Sequence, residues 1–151
     1  MKMFQKELDA IERYIKVKDT ENLRVSKGNI AWHLDHSLKV INSVCTSFKA
    51  SKESEYKRQF NATRALIFTL GFFPRGKVKA PKQVVPPTVI EKKDIENQLK
   101  EAIENIEVIK NLHPHQNFVH PIFKQLNRQQ TLKFLKLHTN HHLKIIHDIL
   151  K

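Results

Sequence analysis

The chain holds a single cysteine, three glycines and six prolines among its 151 residues. One thiol, Cys45, forbids an internal disulfide and any cysteine-based zinc knuckle. So little glycine argues against an all-β domain, whose tight turns consume it. No long apolar run is present: the longest, Ala65 to Phe73, is broken by Thr69 and Gly71 and is too short to span a bilayer. A Gly-rich phosphate loop is missing, which removes P-loop and dinucleotide readings. There is no H-E-x-x-H, so the built-in base of a metalloprotease is lacking, and Ser37 has no G-x-S-x-G context. Acidic residues are also scarce, 15 against 27 Lys plus Arg, giving a net charge of +12 and a pI near 9.9. That balance permits an anionic partner without requiring one, because excess charge also serves solubility.

What is there is helical pattern. With 40% apolar residues, the chain can bury one core, and the length suits one domain over 1–151. The N-terminal stretch reads as an amphipathic helix over Phe4 to Val17, with Phe4, Leu8, Ile11, Tyr14 and Ile15 on one stripe, rather than as a secretory leader. Ser26 is the expected N-cap of a second helix reaching about Phe48, with a stripe of Ile30, Leu34, Ser37, Ile41, Val44, Cys45 and Phe48. A third helix is expected over Glu53 to Leu70, burying Tyr56, Phe60, Thr63, Ile67 and Leu70 and stopped by Gly71 and Pro74. Arg75 to Thr88, rich in Lys, Val and Pro, reads as a long ordered loop that covers something or touches a partner. Lys92 to Leu112 is the clearest helix, with Ile95, Leu99, Ala102, Ile103, Ile106 and Ile109 facing inward. A turn region, Gln116 to Asn127, precedes a final helix from Arg128 nearly to Lys151. The expectation is an all-α bundle of four long helices and one shorter one, with the 75–88 loop as a crossover. A cytoplasmic location fits this pattern.

Nine histidines are many for such a chain, and four of them, His138, His141, His142 and His147, share the last helix. At about 100° per residue, Leu135, Ile145, Ile146 and Ile149 define an apolar arc that includes His138 and His142, one turn apart. His141 sits on the shoulder of that arc and His147 points away. Imidazoles on a core-facing stripe need hydrogen bonds or a metal once water is excluded. The alternative is a partly solvated helix end that the histidines merely decorate. In WHLDHS, His33 lies at the edge of the second helix's stripe, while His36 projects about 60° farther out. A bundle core could therefore receive His33, with His36 as the alternative, from one helix and His138 plus His142 from the other. Three imidazoles with an open fourth position describe a catalytic type of metal site. Asp35, Ser37 and Asn140 are candidates to orient the rings.

The order H-L-x-x-S (His33, Leu34, Ser37) followed by H-x-x-H-H-L (His138, His141, His142, Leu143) resembles the DinB/YfiT-like superfamily. The segment His120-Pro121-x-Phe123 is similar to a turn in one uncharacterised branch of it. The resemblance implies a DinB-like four-helix bundle with a long crossover after the second helix and one additional short helix. It implies one divalent metal per chain, zinc or nickel, held by His33, His138 and His142. His36, His120 and His141 would line the site. Studied relatives of this kind are thiol-dependent transferases or isomerases, and many are dimers. The implied function is a metal-dependent, thiol-dependent transferase or hydrolase acting on a small molecule, possible as a homodimer. The chain departs from the pattern where Lys124 stands after Phe123 in place of the branch's usual Gly, and where His141-His142-Leu143-Lys144-Ile145 replaces an H-H-R-G-Q ending.

Two further readings concern charge and the thiol. Arg75, Lys77, Lys79 and Lys82 stud the long loop and could steer an anionic substrate towards the metal. The rival is a non-catalytic basic bundle that binds nucleic acid or an acidic partner. It is disfavoured because the aromatic residues are not interleaved with those lysines. Cys45, on an apolar stripe, reads as a small core residue rather than a nucleophile.

Overall fold

The computed structural model describes residues 2–76 and 79–151, so Lys77 lies outside the described residues. Five helices carry most of the chain: α1 (Lys2–Tyr14), α2 (Ile30–Ala50), α3 (Ala62–Leu70), α4 (Lys92–Lys110) and α5 (Arg128–Ile149). The only strands among the described residues are two short ones, β1 (Phe118–His120) and β2 (Lys124–Leu126), paired antiparallel with Phe118 opposite Leu126. The protein is therefore mostly helical. No helix among the described residues is long and apolar enough to cross a membrane.

Helices α1, α2, α4 and α5 share one core. Helix α2 packs against both α4 and α5, and α1 bridges the same two. The stripes meet where their spacing sends them: Phe4, Ile11, Leu34, Ile41, Phe48, Ile95, Ile106, Ile109 and Leu135 are buried. Each such side chain contributes on the order of 1.5–3 kcal/mol by leaving water. One polar seam crosses this core. Asn105 Nδ2 donates to Asn42 Oδ1 at 3.0 Å, and Asn42 Nδ2 donates to the Gln98 carbonyl at 3.1 Å, which ties α2 to α4.

Several sequence expectations need correction. Helix α2 begins at Ile30, because Asn29, not Ser26, takes the capping role and accepts from the Trp32 amide at 2.9 Å. Ile103 is exposed, and Asn105 is buried on α4. The expected turn at 116–127 is a hairpin. Its tight turn is closed by His120 Nδ1, which accepts from the amides of Ile122 and Phe123 at 3.0 Å each. Within it Lys124 adopts φ 61, the left-handed region.

The largest difference lies at 53–70. A 3-10 turn over Glu53–Glu55 is followed by extended chain, and α3 starts only at Ala62, where Asn61 accepts from the Arg64 amide at 2.8 Å. The hairpin competes for the backbone here. Gln125 Nε2 donates to the Glu55 carbonyl and Gln125 Oε1 accepts from the Lys57 amide, both at 2.9 Å. Asn61 Nδ2 donates to the Ile122 carbonyl at 3.0 Å. Of the expected buried stripe, only Ile67 is buried; Phe60 is 81% exposed. Gly71 ends α3 at φ 75, as its position foretold.

Candidate metal centre

Four histidines from α2 and α5 converge at the junction of these helices. One ring nitrogen each of His36, His138 and His142 lies within 4.8 Å of the others. Tetrahedral bonds of about 2.0–2.1 Å would set such nitrogens roughly 3.3 Å apart, so at most about 1.5 Å remains to be closed by side-chain rotation. The ring centroids agree: His36 to His142 is 4.7 Å, His138 to His142 is 4.7 Å and His36 to His138 is 5.1 Å.

His36, and not His33, completes this compact group, although helical arithmetic set it farther from the apolar stripe. The reason lies outside α2. The long loop folds back over the helix, buries Val84 and sets the Val84 carbonyl 2.8 Å from His36 Nδ1. That carbonyl accepts the Nδ1 proton, which fixes the tautomer and leaves Nε2 with its lone pair. Trp32 stacks on the His36 ring, centroids 5.1 Å apart at 21°. Gly28 permits this, since a Cβ there would stand 2.9 Å from the indole.

His33 is buried one layer away. Its Nδ1 meets His142 Nδ1 at 2.9 Å and its Nε2 meets Ser26 Oγ at 2.9 Å. Both of its nitrogens therefore have partners within the protein. The assignment that frees His142 Nε2 has His142 Nδ1–H donating to His33 and His33 Nε2–H donating to Ser26. The residues expected to orient the rings do other work: Ser37 donates to the His33 carbonyl at 2.7 Å, Asn140 to Glu7 at 2.9 Å, and Asp35 accepts from Gln98 and Lys39. Sequence patterning had no means to find Val84 or Ser26, which reach the rings through loop geometry.

Burial is the main cause that lowers every histidine here. His33 falls to about 4, and His36 falls despite the opposing pull of the Val84 carbonyl. His138 and His142 lie well below the usual range, with neighbouring histidines adding to desolvation. At neutral pH all four are uncharged, the form in which imidazole binds metal. His138 Nδ1 is buried with no hydrogen-bond partner. Such an orphan is costly unless something else engages it.

His141 borders the cluster, bonded to the Phe73 backbone, and lines a cleft of about 250 Å³ with Phe73, Arg75, Asn140 and Lys144. Phe73 stands between cleft and cluster, its ring 6.3 Å from His138 and 6.2 Å from His141. Arg75 pairs with Asp148 at 2.8 Å, while Lys79 and Lys82 are exposed on the loop. His120 is kept from His138 by Phe134, which contacts both rings. His147 is exposed, as its helical position required. Burial pushes the Cys45 thiol up to about 12, so it is not a nucleophile at neutral pH. No family model, curated protein or solved structure matches the chain.

Proposed function

We infer that the protein binds one divalent metal ion, zinc or nickel, through His36, His138 and His142, and that it acts on a small anionic molecule there. The observation that carries this reading is the convergence of three neutral imidazoles, one of which, His138, has a buried Nδ1 with no hydrogen-bond partner. The donor set fits the ion: imidazole suits zinc and nickel, and three protein ligands leave a position for substrate. A DinB-like four-helix arrangement is part of the reading. It is supported by the core shared among α1, α2, α4 and α5 and by the long connection between α2 and α4.

A metal in such a site lowers the pKa of a bound water or thiol, or polarises a carbonyl. The protein's own groups do the rest. The Val84 carbonyl and His33 hold His36 and His142 in their tautomers, and Phe73 and Trp32 keep bulk water from the rings. Lys144, beside an Arg75 already paired with Asp148, makes the adjoining cleft cationic, which favours a carboxylated or otherwise anionic thiol. A transferase or hydrolase reaction in the cytoplasm is the setting proposed.

The test is metal content by mass spectrometry on untagged protein purified without metal columns, beside His138→Ala. Near-stoichiometric metal that is lost in the variant supports the site. No metal after reconstitution with zinc or nickel overturns it.

A further inference from the structure

The misfit between the expected helix at 53–70 and the observed extended strap exposes a second site. Gln125 bonds the backbone at Glu55 and Lys57, and the Asn61 side chain donates to the Ile122 carbonyl, so the strap lies against the hairpin. That leaves the side chains of Tyr56-Lys57-Arg58-Gln59-Phe60 to face away from a helical core. Here basic and aromatic residues are interleaved, as they are not on the 75–88 loop. The strap walls an open cleft of about 740 Å³ whose lining includes Tyr56, Arg58, Phe60, Arg64 and His115.

The chemistry of this lining is consistent. Tyr56 lies flat on His115, ring centroids 5.2 Å apart at 27°, and forms one aromatic wall. Phe60, at 81% exposure, is a second ring with no cover. Arg64 is a fixed cation, held by the carbonyls of Gln59, Phe123 and Gln125, and Arg58 is an exposed one. No carboxylate lines the cleft. Flat rings beside fixed and mobile guanidinium groups match a planar base joined to a phosphate. A single strand, whose base faces and phosphates are both free, presents that combination.

We propose that this cleft seats a nucleotide of a single-stranded nucleic acid, its base against Phe60 and the Tyr56–His115 wall and its phosphate at Arg58 and Arg64. A duplex, whose base faces are already stacked, is not accepted. The cleft shares no residue with the histidine cluster, so this inference stands or falls apart from the metal reading.

The test is fluorescence anisotropy of the full chain with a labelled single-stranded 12-mer of thymidylate and an equal-length duplex, over a range of salt. The single strand binds more tightly than the duplex. Phe60→Ala, which removes no charge, weakens it about 5- to 150-fold, the range of one lost base stack, while Phe60→Tyr binds like the wild type. Arg58→Ala lowers the salt slope by about one. Lys92→Ala/Lys93→Ala, which removes two charges about 27 Å along α4 from the His115 end, changes affinity less than Phe60→Ala does. Duplex binding as tight as single-strand binding, Phe60→Ala within twofold of wild type, or an acidic peptide that displaces the strand equally well, each overturns the proposal.

Discussion

His33 Nδ1 stands 2.9 Å from His142 Nδ1, joining residues 109 positions apart in the sequence. The contact separates two roles that helical arithmetic alone had merged. His142 belongs to the three-imidazole group, while His33 has one nitrogen on His142 and the other on Ser26. On the proposed reading, a ring so engaged orients His142.

The two roles lead to different outcomes on substitution. His36→Ala removes a ligand and reduces zinc or nickel binding to background in a titration with a competing chelator. His33→Ala leaves three ligands and weakens binding about 10- to 100-fold, as loss of an orienting partner does. His147→Ala, at an exposed position, leaves affinity unchanged. If His33→Ala abolishes binding and His36→Ala does not, the ligand set is His33, His138 and His142.

What the sequence carried was the part fixed by helical periodicity. The apolar stripes of the four long helices, and the inward turn of His142, follow from residue spacing because each helix buries one face. His36 did not follow, since the wall that buries it is the Val84 segment, a loop whose path depends on tertiary contacts. The extended strap at 56–61 was hidden for a related reason. Its aromatic spacing mimics a helix, but Gln125, far away in sequence, bonds its backbone at Glu55 and Lys57. Helical spacing singled out His33, His138 and His142, and the structure brings His36, His138 and His142 together.

Acid should loosen the hairpin through His120. Its neutral Nδ1 accepts two backbone amides, and burial lowers the ring from 6.5 to about 4. Folding therefore favours the neutral form. The stability this supplies is fully present above pH 6.5 and is lost as pH falls from there towards 4. Allowing for solvent screening of a half-buried ring, the loss is on the order of 1–2 kcal/mol. His120→Asn keeps an oxygen that can accept the same amides but does not titrate. Urea denaturation at pH 7.5 and pH 4.5 should show a smaller acid-induced drop for the variant than for the wild type. Equal drops would remove His120 from the account and leave acid sensitivity to the other buried histidines.

Lys124 carries the opposite kind of strain, one that pH does not relieve. At φ 61 a side chain with a Cβ costs roughly 1–2 kcal/mol relative to glycine, which adopts the left-handed region freely. Lys124 recovers a little through its ammonium, which donates to the Pro121 carbonyl at 3.2 Å on the exposed surface. Glycine's larger unfolded-state entropy offsets part of the gain. Lys124→Gly should therefore raise stability by about 0.5–1 kcal/mol, read as an upward shift in the urea midpoint with an unchanged m value. Lys124→Ala, which loses the ammonium and keeps the Cβ, should not stabilise. If the two variants behave alike, the effect comes from the lysine side chain and the turn is not strained.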